Sequence, residues 1–320
     1  MTNYLITGVV GFIGSNLAKR LLDMGHTVIG IDRKPFSPFS HQVFAFLENP
    51  NFHYFNYDLK DGWLLLKLRD YHIDFVFHLA ANADIRFSAE NPEKDLEAIQ
   101  ITYTLLRYMK TCKITNIAYA SSAAMYGDAT IIPTPEYYHP TQTSFYGASK
   151  AACEGWIEAD CAAFGTQAWI FRFSSIIGEG YSHGFIYNFY RYLKNDPRNL
   201  FVAGGLEQRK SYLYIQDCID GMLDAINLSK DKINTFNLGH TDTISLPEAI
   251  PVITKHMGLK PKIMWSGNEV GWIGDSKICH LSTSKLQALG WKPKVSIKEG
   301  IVKTLEWLDA NPWILKRGEV

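Results

Sequence analysis

Tyr146 and Lys150 stand four residues apart in "SFYGASKAACEGW". In a helix that spacing puts a phenol and an ammonium on one face, and such a pair can move a proton. The pair alone is a weak signal, because "YRYLK" repeats it with Tyr190 and Lys194. That second copy lies among aromatic residues and reads as structural. Near the start, "LITGVVGFIGSNL" sets Gly8, Gly11 and Gly14 at three-residue intervals between a strand pattern and a helix pattern. Glycine permits positive φ there and lets backbone approach a pyrophosphate closely. The helix opening near Phe12 and Ile13 aims its N–H groups at the same anion. Asp32 ends the next strand pattern. It is placed to accept the adenosine ribose hydroxyls and to repel a 2′-phosphate, so the spacing predicts a dinucleotide site that prefers NAD to NADP. Arg33 and Lys34 follow at once and carry the opposite preference.

These groups need a scaffold, and the chain alternates strand and helix patterns. Strands are expected over 4–7, 26–32, 52–58, 73–81, 116–122 and 167–174, and helices over 15–25, 93–110 and 144–165. Near-continuous apolar strands separated by helices indicate an α/β fold, a Rossmann-type doubly wound parallel sheet. After residue 174 aromatics, glycines and shorter strand-like pieces take over. The expected division is a dinucleotide-binding domain over 1–174 and a smaller, mixed α/β, mainly substrate-binding domain over 175–320. Segments within roughly 210–242 are candidates to return to the first sheet.

Lys+Arg and Asp+Glu both number 32, so the formal net charge is zero. A protein that tracks nucleic-acid phosphates is usually basic, so that class is disfavoured. The five cysteines form no C-x-x-C pair, which points to reduced thiols in the cytoplasm and to no metal site. No leader pattern and no apolar run of membrane-spanning length is visible, so no membrane partner is expected.

The order of parts carries a further signal: glycine loop, Asp32, "HLAA", "YASSAAMYG", "YGASK", "QRKSYLYIQD", then "STSKLQALGWKPKVSIKEGI". This order resembles the extended short-chain dehydrogenase/reductase family, in its nucleotide-sugar epimerase/dehydratase branch, and the resemblance covers nearly the whole chain. It implies catalysis by Ser122, Tyr146 and Lys150. Tyr146 would take a proton from a sugar hydroxyl while the carbon gives hydride to NAD. Lys150 and the oxidised nicotinamide would lower the phenol by roughly 3 pH units, about 4 kcal/mol. It further implies cofactor contacts from Gly8, Gly11, Phe12, Ile13, Gly14, Asp32, Arg33, Asp58, Leu59, Leu79, Ala80, Ala81, Ser121, Tyr146, Lys150 and Phe173. Substrate contacts are implied for Ser122, Ser175, His183, Arg209 and Asp275, with Arg209 binding the diphosphate. Ser121, one step before Ser122 on its strand, points to the opposite face and is either structural or near the nicotinamide.

Ala123 and Ala124 stand where the sugar dehydratases of the family carry an Asp-Glu pair. Without those carboxylates elimination lacks its acid and base, and epimerisation at C4 of a UDP-hexose becomes the expected reaction. Two alternatives stay open: a nucleotide-sugar oxidoreductase that releases NAD(P)H, and a non-catalytic NAD(P)-binding regulator. The chain departs from the family at Val9 and Val10 in the glycine loop, and at Ala83, Ala98, Ser175 and Val270. A homodimer is the expected assembly. His78, the Tyr212 and Tyr214 stripe, Trp272 and Trp307 are expected to serve packing.

Overall fold

The structure, a computed structural model, describes residues 1–35, 45–61, 67–68, 70–82, 85, 88–271 and 274–318. Its first strands are β1 (Asn3–Thr7), β2 (Thr27–Asp32), β3 (Phe52–Asn56), β4 (Phe75–His78), β5 (Asn116–Ser122) and β6 (Gln167–Phe173). With the strand Ile233–Leu238 at its far edge, they form one seven-stranded sheet in the order Ile233–Leu238, β6, β5, β4, β1, β2, β3. The registers from β3 through β2, β1 and β4 to β5 are parallel. This is the doubly wound sheet expected. Helices α1 (Phe12–Asp23), α2 (Glu93–Cys112) and α3 (Phe145–Phe164) flank it, α2 packed beside α3.

The strands lack polar alternation because both sheet faces are covered. Leu5, Ile6, Ile29, Val76, Phe77, Ile117 and Ala118 are all fully buried. Val9 and Val10, where a smaller pair was expected, are buried as well. The bulk of Val9 is admitted by β2: a Cβ on Gly30 would lie 2.8 Å from Val9 Cγ1 and 3.1 Å from Phe52 Cε2. The missing side chain on one strand is filled by the extra one in the neighbouring loop.

The chain divides into two compact units. The first comprises Met1–Gly127, His139–Arg172 and Met222–Phe236, and the second Asp128–Tyr138, Phe173–Gly221 and Asn237–Val320. A single break at 174 does not describe this division. Ala168 N donates to Lys232 O at 2.9 Å, which ties the returning segment to the sheet edge. Asp128–Tyr138 belongs with later residues because Thr134 N donates to His280 O at 2.8 Å and Ser282 N to Thr134 O at 2.9 Å.

In the second unit β7 (Ser175–Ile177) precedes α4 (Phe185–Asn195), β8 (Asn199–Val202), β9 (Arg209–Lys210) and β10 (Tyr212–Tyr214). α5 (Ile215–Leu228) begins in this unit and ends in the first, and β11 (Ile233–Leu238) begins in the first; β12 (Ile244–Ser245), α6 (Leu246–His256), β13 (Lys262–Trp265), β14 (Ile278–Cys279), α7 (Ser284–Gln287) and α8 (Ile297–Ala310) follow in the second. Two short parallel pairs, β10 with β7 and β13 with β8, accompany a three-stranded ribbon with β9 between β12 and β14. Tyr212 and Tyr214 are buried, and Trp307 packs edge-on against Trp313. Tyr190 and Lys194 both reach Asp309, at 2.5 Å and 3.4 Å, across the helix pair α4 and α8. Ala83 and Trp272 lie outside the described residues.

Candidate active site

The turn after β1 is built around absent side chains. Gly8 has φ +73°, and a Cβ there would meet Ala80 N at 2.8 Å. A Cβ on Gly14 would stand 2.3 Å from Gly8 O. Gly11 is the N-cap of α1 and brings no side chain to its N–H groups, and the first turn holds no acid. The positive end of the helix over Phe12 and Ile13 is therefore left for an external anion, which fits a dinucleotide pyrophosphate. Leu79, Ala80 and Ala81 continue off the C-terminal end of β4 as a half-buried rim, and Leu79 N bonds to Thr7 O at 3.2 Å. Leu59 is nearly buried in the core.

Asp32 closes β2 with its carboxylate fixed by two backbone amides, Val10 N at 3.1 Å and Lys34 N at 3.0 Å. Each carboxylate oxygen keeps acceptor capacity for ribose hydroxyls. The Arg33 guanidinium is directed to Glu97 on α2 at 3.2 Å, which also holds Lys60 at 2.8 Å. A 2′-phosphate would have to compete with Glu97 for Arg33, and Asp32 would repel it. The residues present thus fit NAD. Asp58 just follows β3 and accepts from Lys60 N at 3.0 Å.

Ser122 is the last residue of β5, and its hydroxyl accepts from Ala124 N at 3.1 Å. That bond caps the short 3-10 turn Ala123–Tyr126. Tyr146 is the second residue of α3. The helix starts there because Ser144 caps it, accepting from Gly147 N at 3.0 Å. The Tyr146 amide donates to Ser88 Oγ at 2.8 Å, and the Ser122 hydroxyl acts on its phenol, favouring the ionised form. One turn on, Lys150 is buried, with Nζ 2.7 Å from Ala120 O and 5.6 Å and 5.1 Å from the ring centroids of Tyr146 and Tyr119.

Burial dominates the electrostatics of both groups. Burial pushes the Tyr146 phenol up to about 12, the Ser122 hydroxyl pulls against that, and the Asp95 carboxylate adds to it. Burial also lowers Lys150 to about 8. Taking each group out of water disfavours its charged form. Below them His78 lies buried between Thr7 Oγ1 at 2.8 Å and Thr102 Oγ1 at 3.0 Å. Burial, and then the charge of Lys150, depress it to about 3, so it is a neutral structural residue.

Ser121 turns away from Ser122 and donates to Glu154. Arg172 clasps that carboxylate through Nη2 at 2.7 Å and Nε at 3.1 Å, and Tyr126 through Nη1 at 2.8 Å. The Ser121 hydroxyl therefore serves the fold, its partner lying in the buried ion pair behind the strand.

Residues 4–239 match the sequence model of the NAD dependent epimerase/dehydratase family. The chain belongs to this family. It is 28% identical to a putative UDP-glucose 4-epimerase of Methanocaldococcus jannaschii over 96% of this chain and 98% of the relative. It is 27% identical to UDP-glucuronate 4-epimerase 1 of Arabidopsis thaliana over 95% of this chain and 76% of that protein. A crystal structure of a UDP-galactose 4-epimerase superposes with a TM-score of 0.86 at 30% identity, covering 98% of this chain and 100% of that one.

As an epimerase/dehydratase family member the chain keeps its serine, tyrosine and lysine together, and its second unit departs from expectation. Asp275 does not offer its carboxylate outward. It is buried in an ion pair with Lys210, side chains 4% and 14% exposed, and accepts from Gln208 Nε2 at 2.7 Å. Arg209 on β9 is engaged by Glu248 at 3.1 Å and Thr243 Oγ1 at 3.1 Å. Ser175 opens β7 opposite Tyr212, and Phe173 ends β6 in a buried position. His183 stacks on Tyr181, ring centroids 5.8 Å apart. Ala98 is buried, its carbonyl accepting from Thr102 Oγ1 at 2.7 Å, and Val270 is half-buried. Lys210, Ser88 and Asp95 were missed by sequence reasoning. Glu154 alone had a readable signal, its spacing of one turn after Lys150.

Proposed function

We propose that the chain epimerises a nucleotide-diphosphate sugar, inverting C4 of a UDP-hexose, with Tyr146 as the base. The observation that carries this reading is the placing of Ser122, Tyr146 and Lys150 together beside a turn whose half-buried positions are Ala123 and Ala124. The family name spans epimerases and dehydratases, and the methyl groups at 123 and 124 favour the first. Relatives named for 4-epimerisation of UDP-sugars support the same choice.

When bound, NAD supplies the acceptor that takes and returns a hydride, and a positive charge that favours phenolate. Ser122 holds the C4 hydroxyl by its oxygen and directs the proton to Tyr146 Oη. Tyr146 keeps that proton while the sugar is a ketone and returns it to the same oxygen when C4 is reduced on its other face. Lys150, anchored on the Ala120 carbonyl, holds a cation beside the phenolate. For the second unit the proposal keeps Ser175 and His183 as candidate substrate contacts. It keeps Arg209 as a candidate for the diphosphate, because its ion pair with Glu248 is solvent-exposed and weak. Asp275 is dropped.

A homodimer is proposed from the adjacent helices α2 and α3, where Leu96, Tyr103 and Trp156 are exposed. A cytoplasmic setting is proposed from the five free thiols. Among the described residues no helix is long and apolar enough to cross a membrane.

The decisive experiment incubates the purified protein with a panel of nucleotide sugars, without added cofactor, and reads products by NMR. A new C4 isomer of a UDP-hexose supports the proposal. Oxidised sugar with released NADH points to the oxidoreductase, and no conversion by protein shown to hold NAD points to a regulator.

A further inference from the structure

Asp95 is a carboxylate 2% exposed in the first turn of α2. Its partners among the described residues are neutral: Ser88 Oγ donates to Oδ2 at 2.6 Å and Asn82 Nδ2 to Oδ1 at 3.3 Å. Ser88, itself 1% exposed, uses the other side of its oxygen to accept from Tyr146 N at 2.8 Å. A continuous line therefore runs from a buried negative charge through one hydroxyl to the backbone of the proposed base.

We propose that Asp95 is a positioning residue for Tyr146 and Lys150. Its carboxylate orients the Ser88 hydroxyl that seats the first turn of α3, the turn that carries Tyr146 and leads, one turn on, to Lys150. This inference deepens the proposed function and rests on that reading for its kinetic arm.

Ser88 has one hydroxyl proton and spends it on Asp95. Its lone pairs then face the Tyr146 amide, which in a first helical turn has no acceptor within the helix. With Asp95 replaced by a group that does not take the proton, the hydroxyl is free to rotate and the seat loosens. The charge acts in parallel. Asp95 pushes the Tyr146 phenol up and supports protonation of Lys150. The other groups facing the pair come from each surrounding element of the first unit. Tyr119 and Ser122 lie on β5, His78 on β4, and Cys153 and Glu154 on α3 itself. His78 is neutral and Glu154 is neutralised by Arg172. Among the described residues, Asp95 is thus the negative charge near the pair that no ion pair compensates.

The test compares the parent with Asp95→Asn, Ser88→Ala and Ser88→Thr. Phenolate absorbance is titrated for each protein against the same protein carrying Tyr146→Phe, and pH profiles of kcat/KM are recorded. Asp95→Asn is expected to move the Tyr146 midpoint, and both limbs of the pH profile, to lower pH. A lost negative charge makes the phenol easier to ionise and the ammonium easier to deprotonate. Ser88→Ala is expected to lower kcat roughly three- to tenfold, the effect of one lost neutral hydrogen bond, with KM little changed. Ser88→Thr should restore it. An Asp95→Asn protein with a lower Tm but an unmoved titration and pH profile would reduce Asp95 to a helix-terminal charge and overturn the proposal. Should Asp95→Asn not fold, Ser88→Ala decides, and unchanged kcat overturns it. A parent that isomerises no UDP-hexose refutes the proposed function alone, since the Tyr146 titration still answers for Asp95.

Discussion

The ammonium of Lys150 donates to the Ala120 carbonyl at 2.7 Å while standing 5.6 Å from the centroid of the Tyr146 ring. A backbone acceptor on β5 fixes the cation, so its distance from the phenol is set by the sheet and does not depend on rotamer freedom. The bond also gives the buried charge one of the few acceptors it has. The chemistry proposed for Tyr146 depends on this placement.

Replacing Tyr146 by phenylalanine removes the base and little volume. Turnover should fall by about 10²–10⁴-fold, the range general-base catalysis supplies, with circular dichroism and Tm close to the parent's. Near-parent turnover would exclude Tyr146 as the base.

Lys150 has a pKa lowered to about 8 from 10.5. Between those values the unfolded chain binds more protons than the folded one, so stability should rise as pH rises through that window. Tyr146, raised to about 12 from 10.0, works the other way. The folded state keeps a proton the unfolded state has lost, so stability falls from about pH 10 upward. Tm measured from pH 7 to 10 should climb relative to Lys150→Met, which lacks the titrating amine. Parallel curves for the two proteins would contradict the lowered lysine.

Gly30→Ala drives a methyl group against Val9 and Phe52. Overpacking of this kind costs about 1–3 kcal/mol. Denaturant unfolding should show that loss, and adding Val9→Ala should recover most of it. Additive losses in the double variant would mean the two positions are not packed on each other.

Lys210→Met strands the buried Asp275 carboxylate without its cation. Removing one partner of a buried pair costs about 3–5 kcal/mol, whereas Lys210→Met with Asp275→Leu should lie nearer the parent. Equal stability of the single and double variants would refute the pairing.

With alanines at 123 and 124, products should keep the substrate's mass and carry no solvent deuterium on carbon when the reaction runs in heavy water. Mass spectrometry reads both. Loss of water from the sugar, or deuterium at C5, would show elimination and transfer the acid-base role to another residue.

The helix and strand pattern around the site was legible because its causes are local. Glycine spacing, apolar runs and the Ser144 cap act within a turn or two, and β5 falls on the expected residues, Asn116–Ser122. Period-two alternation also separated Ser121 from Ser122. Val9 looked anomalous only because its compensation, Gly30, lies on a strand that follows a whole helix later.

What the sequence by itself determined was the set of reactive groups and their order: the glycine turn, Asp32, Ser122, Tyr146, Lys150 and the two alanines. Each is defined by residue type and near-neighbour spacing, which a linear chain displays. Tertiary structure alone decided what each charge faces. Arg33 meets Glu97, Asp275 meets Lys210, and Asp95 reaches Tyr146 through Ser88. It also decided that burial dominates the ionisation of Tyr146 and Lys150. Coulomb energies and desolvation depend on distance and on the surrounding medium, and for groups 50 or more residues apart neither exists until the chain has folded.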